Sequence, residues 1–159
     1  MAIIGWYYLH QNGDLIYKRE LGNTAADIRE SDFSRGMWPL DPQNRENAWR
    51  ICVEALAAGA KPERIAELAK LWQCDEDDAP HYAKFLGGDI YMDGNQWCAV
   101  GPGFINIQES NCGFGDTPVE AFAALAKDVG YKPSKMWGHT FQSLLQGKDP
   151  ASGQFGVGA

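Results

Sequence analysis

Aromatic and aliphatic side chains alternate along residues 3–19, near the start of the chain. A period of two is typical of a strand whose neighbouring side chains point to opposite faces. Asn12 and Gly13 lie between two such runs, and both residues tolerate the positive φ angles of a tight turn. This segment is therefore predicted to be a β-hairpin. The two alternating sets of its first strand are Ile4, Trp6 and Tyr8 on one face and Gly5, Tyr7 and Leu9 on the other.

The pattern between residues 20 and 41 is ambiguous. Ala25–Phe33 fits either a short helix or an irregular strand. Trp38 is expected to be extended or in a turn, because the ring of Pro39 restricts the residue before it.

Helical periodicity begins after this stretch. Asp41 followed by Pro42 predicts a helix start, since a carboxylate caps the first turn and proline fits its first position. Apolar residues then recur at helical spacing as far as Gly59, which is expected to end the helix. Pro62 predicts the start of a second helix. A third is predicted over Asp75–Phe85, interrupted or delayed by its internal proline.

The pattern returns to strands after two consecutive glycines at 87 and 88. Three short alternating runs follow, and the first two are separated by a hairpin turn at residues 93–95. The predicted strands are Asp89–Met92, Gln96–Val100 and Phe104–Gln108.

A glycine turn and a well-capped helix are predicted next. Asn111–Asp116 contains two glycines and is interpreted as the turn. Thr117 and Glu120 have the spacing of a capping box, and Gly130 is expected to end the helix. The predictions for the rest of the chain are a short helix at Ser134–Gln146 and a flexible glycine-rich tail at Gly147–Ala159.

These elements predict an α+β fold. It has an N-terminal β-hairpin, a central segment of two to three helices, and a C-terminal three-stranded antiparallel sheet followed by a capped helix and a short last helix. The length of 159 residues predicts a single compact domain over 1–159. Its expected sub-modules are residues 1–86, residues 87–146 and the tail 147–159.

Charge and composition limit the classes of function. The formal net charge is −7 and the sequence shows no basic stripe, so nucleic-acid binding through phosphate neutralisation is not expected. The chain contains no run of about 20 apolar residues of the kind that spans a bilayer, and its first residues lack the features of a signal peptide. We therefore expect a protein that does not enter membranes.

The four cysteines lie far apart in sequence and form no Cys-x-x-Cys pair. A zinc site or a disulfide framework is not expected from such spacing. Free thiols in a reducing cytoplasm are the simpler interpretation.

Several short motifs contain residue types that are found in catalytic, cofactor or metal sites. Gly113-x-Gly115 before a helix invites a phosphate-site interpretation, but Asp116 and Glu120 place negative charge there, which favours a structural turn. The acidic run Asp75–Asp78 lacks the ligand spacing of a calcium loop. The histidines have no partners at ligand or triad spacing, and they are His10, His81 and His139. No catalytic residue, cofactor or metal ligand is predicted, and the protein is not expected to be an enzyme.

The segment Cys112–Ala121, which joins the glycine turn to the capping box, resembles the strand-to-helix junction of HicB-type antitoxins. The resemblance covers about a quarter of the chain, residues 89–130. It implies a three-stranded sheet with a helix, in a family whose members bind a small toxin RNase. The C-terminal DNA-binding domain of that family has no obvious counterpart here, and three additional predicted helices precede the sheet.

The chain as a whole resembles small uncharacterised proteins of tailed phages and prophages. The resemblance implies a setting in a bacterial host cell, where accessory proteins of this size often bind a host protein, including components of bacterial defence. The segments that carry it are Gly5–Leu9, Asp14–Arg19, Trp97–Ala99, Phe104–Ser110 and Tyr131–Trp137.

These observations lead to one functional hypothesis and two alternatives. The hypothesis is a cytoplasmic, phage-encoded, non-enzymatic protein that binds a host or phage protein for counter-defence or host takeover, with a homodimer left open. Its predicted contact surface consists of aromatic rings expected to be exposed, namely Trp6, Tyr7, Tyr8, Tyr17 and Trp137. The alternatives are a nucleic-acid-linked regulator of HicB-like type, and a protein that binds or sequesters a small ligand such as a nucleotide signal.

Overall fold

The computed structural model describes residues 3–19, 36–102 and 111–131. These residues form four α-helices and two three-stranded antiparallel sheets, so the predicted α+β class is confirmed. In chain order the elements are β1 (Gly5–Leu9), β2 (Leu15–Arg19), β3 (Gly36–Leu40), α1 (Arg45–Ala57), α2 (Pro62–Leu71), a 3-10 turn (Glu76–Asp78), α3 (Ala79–Leu86), β4 (Asp89–Asp93), β5 (Gln96–Val100), β6 (Cys112–Gly115) and α4 (Pro118–Asp128).

The first sheet contains the predicted hairpin and has the strand order β2-β1-β3. Its turn is closed by Asn12, whose Oδ1 accepts a hydrogen bond from the backbone N–H of Asp14 at 3.0 Å, and by Gly13, which has a φ of 92°. The ambiguous stretch around Trp38 is strand β3, which pairs antiparallel with β1. Ala25–Phe33 lies outside the described residues.

Helix α1 begins three residues later than its sequence predicts. Asn44 is the capping residue, and its Oδ1 accepts a hydrogen bond from the backbone N–H of Asn47 at 3.2 Å. Asp41 instead accepts from the backbone N–H of Gln43 at 3.1 Å. The prediction of a start at Asp41 and Pro42 is therefore wrong, because the Asp41 carboxylate closes a turn ahead of the helix.

The other helix boundaries follow the sequence more closely. Gly59 follows α1 and adopts a φ of 108°, and α2 begins at Pro62 as predicted. The predicted third helix is split into the 3-10 turn and α3, and α3 begins at Ala79, next to the proline that was expected to delay it.

The second sheet has the strand order β4-β5-β6, and its first two strands lie where the sequence predicts them. The predicted third strand, Phe104–Gln108, lies outside the described residues, as do the predicted last helix Ser134–Gln146 and the tail. The segment interpreted as a glycine turn, Asn111–Asp116, contains strand β6, which pairs antiparallel with β5. The turn prediction is therefore wrong for these residues.

Glycine is required in β6 because α4 lies directly on the strand. A Cβ atom built on Gly113 would lie 2.2 Å from the backbone N of Leu125 and 2.3 Å from the carbonyl O of Ala121. A Cβ atom on Gly115 would lie 2.6 Å from the backbone N of Ala121. Neither glycine has a positive φ. Close approach of helix and strand therefore explains both residues.

The capping box predicted for α4 is confirmed. The backbone N–H of Glu120 donates to Oγ1 of Thr117 at 3.2 Å, and the Glu120 carboxylate accepts from the backbone N–H of Asp116 at 3.2 Å. Gly130 follows the helix with a φ of 82°. The first bond satisfies an N–H group that the first turn leaves without a partner, and the second ties Glu120 to the residue before the cap.

A single cluster of buried side chains joins both sheets to the helices. Its centre is aromatic: Trp49 of α1 stacks on Tyr82 of α3 with ring centroids 5.3 Å apart, and Phe122 of α4 meets Tyr82 edge-on at 5.1 Å. These rings come from three different helices. Their burial orders α1, α3 and α4 around one point.

The carboxylate of Glu54 is buried within this core, with 1% of the residue exposed. Its Oε1 accepts hydrogen bonds from Nε1 of Trp38 at 3.1 Å and from the hydroxyl of Tyr131 at 2.6 Å. Its Oε2 accepts from Nε of Arg50 at 3.0 Å. The group therefore connects the first sheet, helix α1 and Tyr131, three residues beyond the end of α4.

We expect Gly113→Ala to destabilise the fold by about 3 kcal/mol, because the added methyl group would overlap the α4 backbone. The matched control is Gly94→Ala. Gly94 lies in an open turn with a φ of 68° and nothing within 4 Å of the added Cβ, so only the backbone strain of about 1 kcal/mol remains. Urea denaturation of both variants gives the free energies of unfolding. Equal losses in the two variants would contradict direct packing of α4 on β6.

We expect Tyr131→Phe to lower the free energy of unfolding by about 2 kcal/mol, because it removes a buried hydrogen bond to a charged group. Tyr17→Phe is the control. The Tyr17 hydroxyl donates to the carbonyl of Ile4 at 3.2 Å, a hydrogen bond between neutral groups that contributes about 1 kcal/mol or less. Chemical denaturation at neutral pH measures both. A loss for Tyr131→Phe no larger than for Tyr17→Phe would contradict the role assigned to the Glu54 carboxylate.

Tyr131→Phe should also change how the free energy of unfolding depends on pH under alkaline conditions. Burial raises the pKa of Tyr131, and the neighbouring Glu54 carboxylate raises it further. An unfolded tyrosine ionises near pH 10, so the folded state keeps a proton that the unfolded state releases. The stabilisation is thus fully present below about pH 10 and is lost as the pH rises above it, by up to about 1.4 kcal/mol per pH unit. Tyr131→Phe should flatten this decline relative to the wild type, and equal slopes for the two proteins above pH 10 would contradict a raised pKa of Tyr131.

Candidate functional site

The structure buries part of the predicted aromatic contact surface. Tyr7 and Tyr8 are 6% and 5% exposed, so the expectation that their rings are exposed is wrong. Trp6 and Tyr17 are half-buried, and Trp137 lies outside the described residues. Tyr7 is covered because its ring packs against Tyr17 at a centroid distance of 5.2 Å and against Trp72 at 5.3 Å.

The exposed aromatic rings of the second sheet were not anticipated. Tyr91 of β4 and Phe114 of β6 are both partly exposed, and both are register partners of Cys98 in β5. Sγ of Cys98 lies 3.5 Å from the Tyr91 hydroxyl, and the interaction between these two groups raises the pKa of Tyr91 to about 12. Pairing with the same cysteine places the two rings on one face of the sheet. The sequence did not reveal this arrangement because residues 112–115 were predicted to lie in a turn.

A groove of about 520 Å³ opens between α2 and the N-terminus of α4. Much of its wall is apolar because every side chain that α2 contributes is apolar, and α1 contributes Leu56. The volume is within the range of natural ligand sites, about 300 to 1,000 Å³. The apolar lining residues are Leu56, Pro62, Ile65, Ala66, Ala69, Pro118 and Val119.

Carboxylates surround the groove. Asp75, Glu76 and Asp77 line one side, from the 3-10 turn and the residue before it, and Glu120 lines the other. The described residues that line the groove include no lysine or arginine. The negative potential of such a rim attracts cations and repels phosphates. This part of the molecule, called the acidic groove below, is therefore suited to an apolar or cationic ligand group.

Two cysteines meet beside the acidic groove although 21 residues separate them in sequence. Cys52 is buried in α1, and Cys74 is a half-buried lining residue of the groove. The interaction between the two thiols raises the pKa of Cys52 well above its ordinary value and lowers that of Cys74. Sequence spacing gave no signal for this pair, because it depends on how α1 packs against the turn after α2.

His10 and His81 take structural positions. His10 lies in the hairpin turn, where its backbone N–H donates to the carbonyl of Asp14 at 2.9 Å. Nε2 of His81 lies 2.8 Å from the Glu46 carboxylate, and this contact lowers the pKa of Glu46. His139 lies outside the described residues. Within residues 3–19, 36–102 and 111–131, no group of three or more His, Cys, Asp or Glu side chains has the arrangement of a metal site.

In the described part of the chain, no helix has the length and apolar character needed to cross a membrane. Comparison of the chain with protein-family models, with curated proteins and with solved structures gives no match. The geometry of the acidic groove and the sequence resemblances are therefore the basis for a functional proposal.

Proposed function

We propose that the protein is a phage- or prophage-encoded binding protein without catalysis of its own, which holds a host protein in the bacterial cytoplasm. The acidic groove carries the proposal, because it offers an apolar recess with a charged rim. The resemblance of the chain to small proteins of tailed phages supports the setting, which is counter-defence or host takeover.

The chemistry of the groove defines the partner. Its apolar walls accept one or two aliphatic or aromatic side chains of a partner segment, as in the recognition of a helix by a groove. Its carboxylates favour lysine or arginine next to those anchors. The net charge of −7 favours the same partners at longer range. We therefore propose a basic, amphipathic segment of the host protein as the ligand.

A small-molecule ligand is the second candidate, supported by the volume of the groove. The carboxylates of the rim oppose a nucleotide, whose phosphates would lie close to them. A cationic or apolar molecule fits better. The HicB-like regulator has weaker support: a three-stranded sheet with a packed helix agrees with that resemblance, whereas the negative net charge opposes nucleic-acid binding.

The first test is capture of a protein from bacterial lysate by the wild-type chain and by Ala66→Trp. Ala66 is exposed and lines the groove, so the larger ring should fill the recess without disturbing the core. We expect the captured partner to be lost from the variant. Lys84→Trp is the control, because Lys84 is also exposed on a helix but lies outside the groove lining. Equal capture by all three chains would contradict binding in the groove.

The charge of the rim provides an independent measurement. The triple change Asp75→Asn, Glu76→Gln and Asp77→Asn should weaken capture about tenfold at low salt, if each rim charge contributes about 0.5 kcal/mol. The difference from wild type should shrink as salt is added. The control removes three exposed carboxylates elsewhere, with Asp89→Asn, Asp93→Asn and Asp128→Asn. Equal weakening by both triple variants would show only a general charge effect and would oppose the proposal.

The half-buried rings of the hairpin are tested in the same assay. Trp6→Ala should leave capture unchanged if the acidic groove is the binding site. Loss of capture with Trp6→Ala, together with retention by Ala66→Trp, would place the site on the hairpin instead.

A further inference from the structure

Strand β4 is an edge of the second sheet in the part of the chain that the structure describes. One side of β4 pairs with β5, and no described strand pairs with the other side. All of its residues except the buried Ile90 are exposed, namely Asp89, Tyr91, Met92 and Asp93. An exposed edge of this kind presents backbone N–H and C=O groups to which another strand can add.

The turn between β4 and β5 determines which backbone groups face outward. Only two residues connect the strands, and the first of them, Gly94, has a φ of 68°. In such a hairpin the residues that flank the turn exchange hydrogen bonds, and every second residue beyond them does the same. The backbone groups of Ile90 and Met92 therefore face away from β5. In agreement with this pattern, the backbone N–H of Ile90 donates to Oδ1 of Asp89 at 2.8 Å.

The side chains along this edge are a ring between two carboxylates. Asp89, Tyr91 and Asp93 are spaced two residues apart, so they lie on one face of the strand, opposite to the face that α4 covers. The Tyr91 ring leans toward β5, because its hydroxyl lies 3.5 Å from Sγ of Cys98. Against an added strand these residues occupy the non-hydrogen-bonded positions, where Cα atoms are about 4.5 Å apart and side chains come closest.

A second copy of this chain is a poor occupant of the edge. Two β4 strands that pair antiparallel about Tyr91 place Asp89 of each copy opposite Asp93 of the other. Like charges directly opposite each other destabilise a strand pair, and each chain also has a net charge of −7. Opposite charges at the same positions stabilise the pair. The edge therefore favours a strand that has cations where a second copy has carboxylates.

We propose that β4 is a separate binding site, which adds an extended, basic segment of a partner protein to the sheet as an antiparallel strand. The segment has a lysine or arginine opposite Asp89, another opposite Asp93, and a β-branched or aromatic residue opposite Tyr91. The outward backbone groups of Ile90 and Met92 supply the main-chain hydrogen bonds. The Asp89 carboxylate then exchanges its contact with the N–H of Ile90 for one with the cation.

This site is distinct from the acidic groove. Among the described residues that line the groove, none belongs to β4. The two sites also differ in what they bind, because the groove accepts the anchors of an amphipathic segment and the edge accepts an extended one. A protein that is held by the groove alone is unaffected by changes in β4, so failure of either proposal leaves the other standing.

Synthetic peptides test the edge on the intact protein at low salt. The matching peptide is Thr-Thr-Lys-Thr-Val-Thr-Lys-Thr-Thr with blocked ends and a fluorophore, and the control is Thr-Lys-Thr-Thr-Val-Thr-Lys-Thr-Thr. Both have the same composition and charge, but the lysines of the control are an odd number of residues apart, so only one faces the carboxylates. Fluorescence anisotropy should show about threefold tighter binding of the matching peptide, because one more opposite-charge pair forms. Equal affinities would overturn the proposed register.

Reversal of the two charges locates the binding. In the variant Asp89→Lys with Asp93→Lys, the matching peptide should bind at least about tenfold more weakly than in the wild type, and its analogue with glutamates in place of lysines should bind more tightly. The control, Glu63→Lys with Asp128→Lys, changes two exposed carboxylates outside β4 and should keep the preference of the wild type. A β4 variant that still prefers the lysine peptide would show binding elsewhere and would overturn the inference.

The backbone provides a test that attraction between charges alone does not satisfy. Met92→Pro removes an outward N–H group, a change that edge strands tolerate, and should weaken binding of the matching peptide at least about fivefold. If this variant does not fold, hydrogen exchange measured by NMR on the wild type decides. The matching peptide should slow exchange of the Met92 amide at least about fivefold. An unchanged exchange rate at Met92 with the peptide bound would overturn strand addition.

Discussion

The buried carboxylate of Glu54 is the interaction on which the arrangement of the elements depends. An ionised group without partners in an apolar interior costs several kcal/mol, so its donors must be kept in place. Three side chains donate hydrogen bonds to this carboxylate: Trp38 from the first sheet, Tyr131 from the segment after α4, and Arg50 from α1, the helix that contains Glu54. Helix α1 is thereby held against the first sheet and against α4. Leu56 belongs to that helix and lines the acidic groove, so the shape of the groove depends on the position of α1.

The sequence predicted most boundaries because each is set by local chemistry. Pro62, Thr117 and Gly130 act through the backbone of their own turn, and no distant contact changes them. The start of α1 was mispredicted because Asp41 and Asn44 are both good capping residues, and sequence alone does not rank them. Strand β6 was mispredicted for a different reason. Glycine serves turns and close packing equally, and only the position of α4 distinguishes the two uses.

The prediction of an aromatic contact surface required knowing which rings are exposed. Exposure is a property of the whole fold and not of a local sequence pattern. Tyr7 and Tyr8 occupy opposite faces of β1 and are both buried. Tyr7 is covered by the rings of Tyr17 and Trp72, which the sequence pattern of β1 does not contain. A period of two cannot reveal that both faces are covered. The acidic groove was equally invisible in the sequence, since its two walls, α2 and the start of α4, are separated by more than 40 residues.

The acidic run Asp75–Asp78 has more than one effect in the folded protein, because packing places its carboxylates next to different groups. In the sequence, Asp75–Asp78 lies at the start of a predicted helix, and in the structure these residues lie at the 3-10 turn that precedes α3. In the fold, Asp78 holds Arg45 against the turn that presents Cys74, while its neighbours form the rim of the acidic groove. The rim carboxylates favour positive ligands. Cys52 and Arg45 lower the pKa of Cys74, whereas burial, Asp78 and Asp75 raise it, and the net shift is downward. The same acidic run therefore acts on the charge of a ligand at the rim and on the thiol beside it.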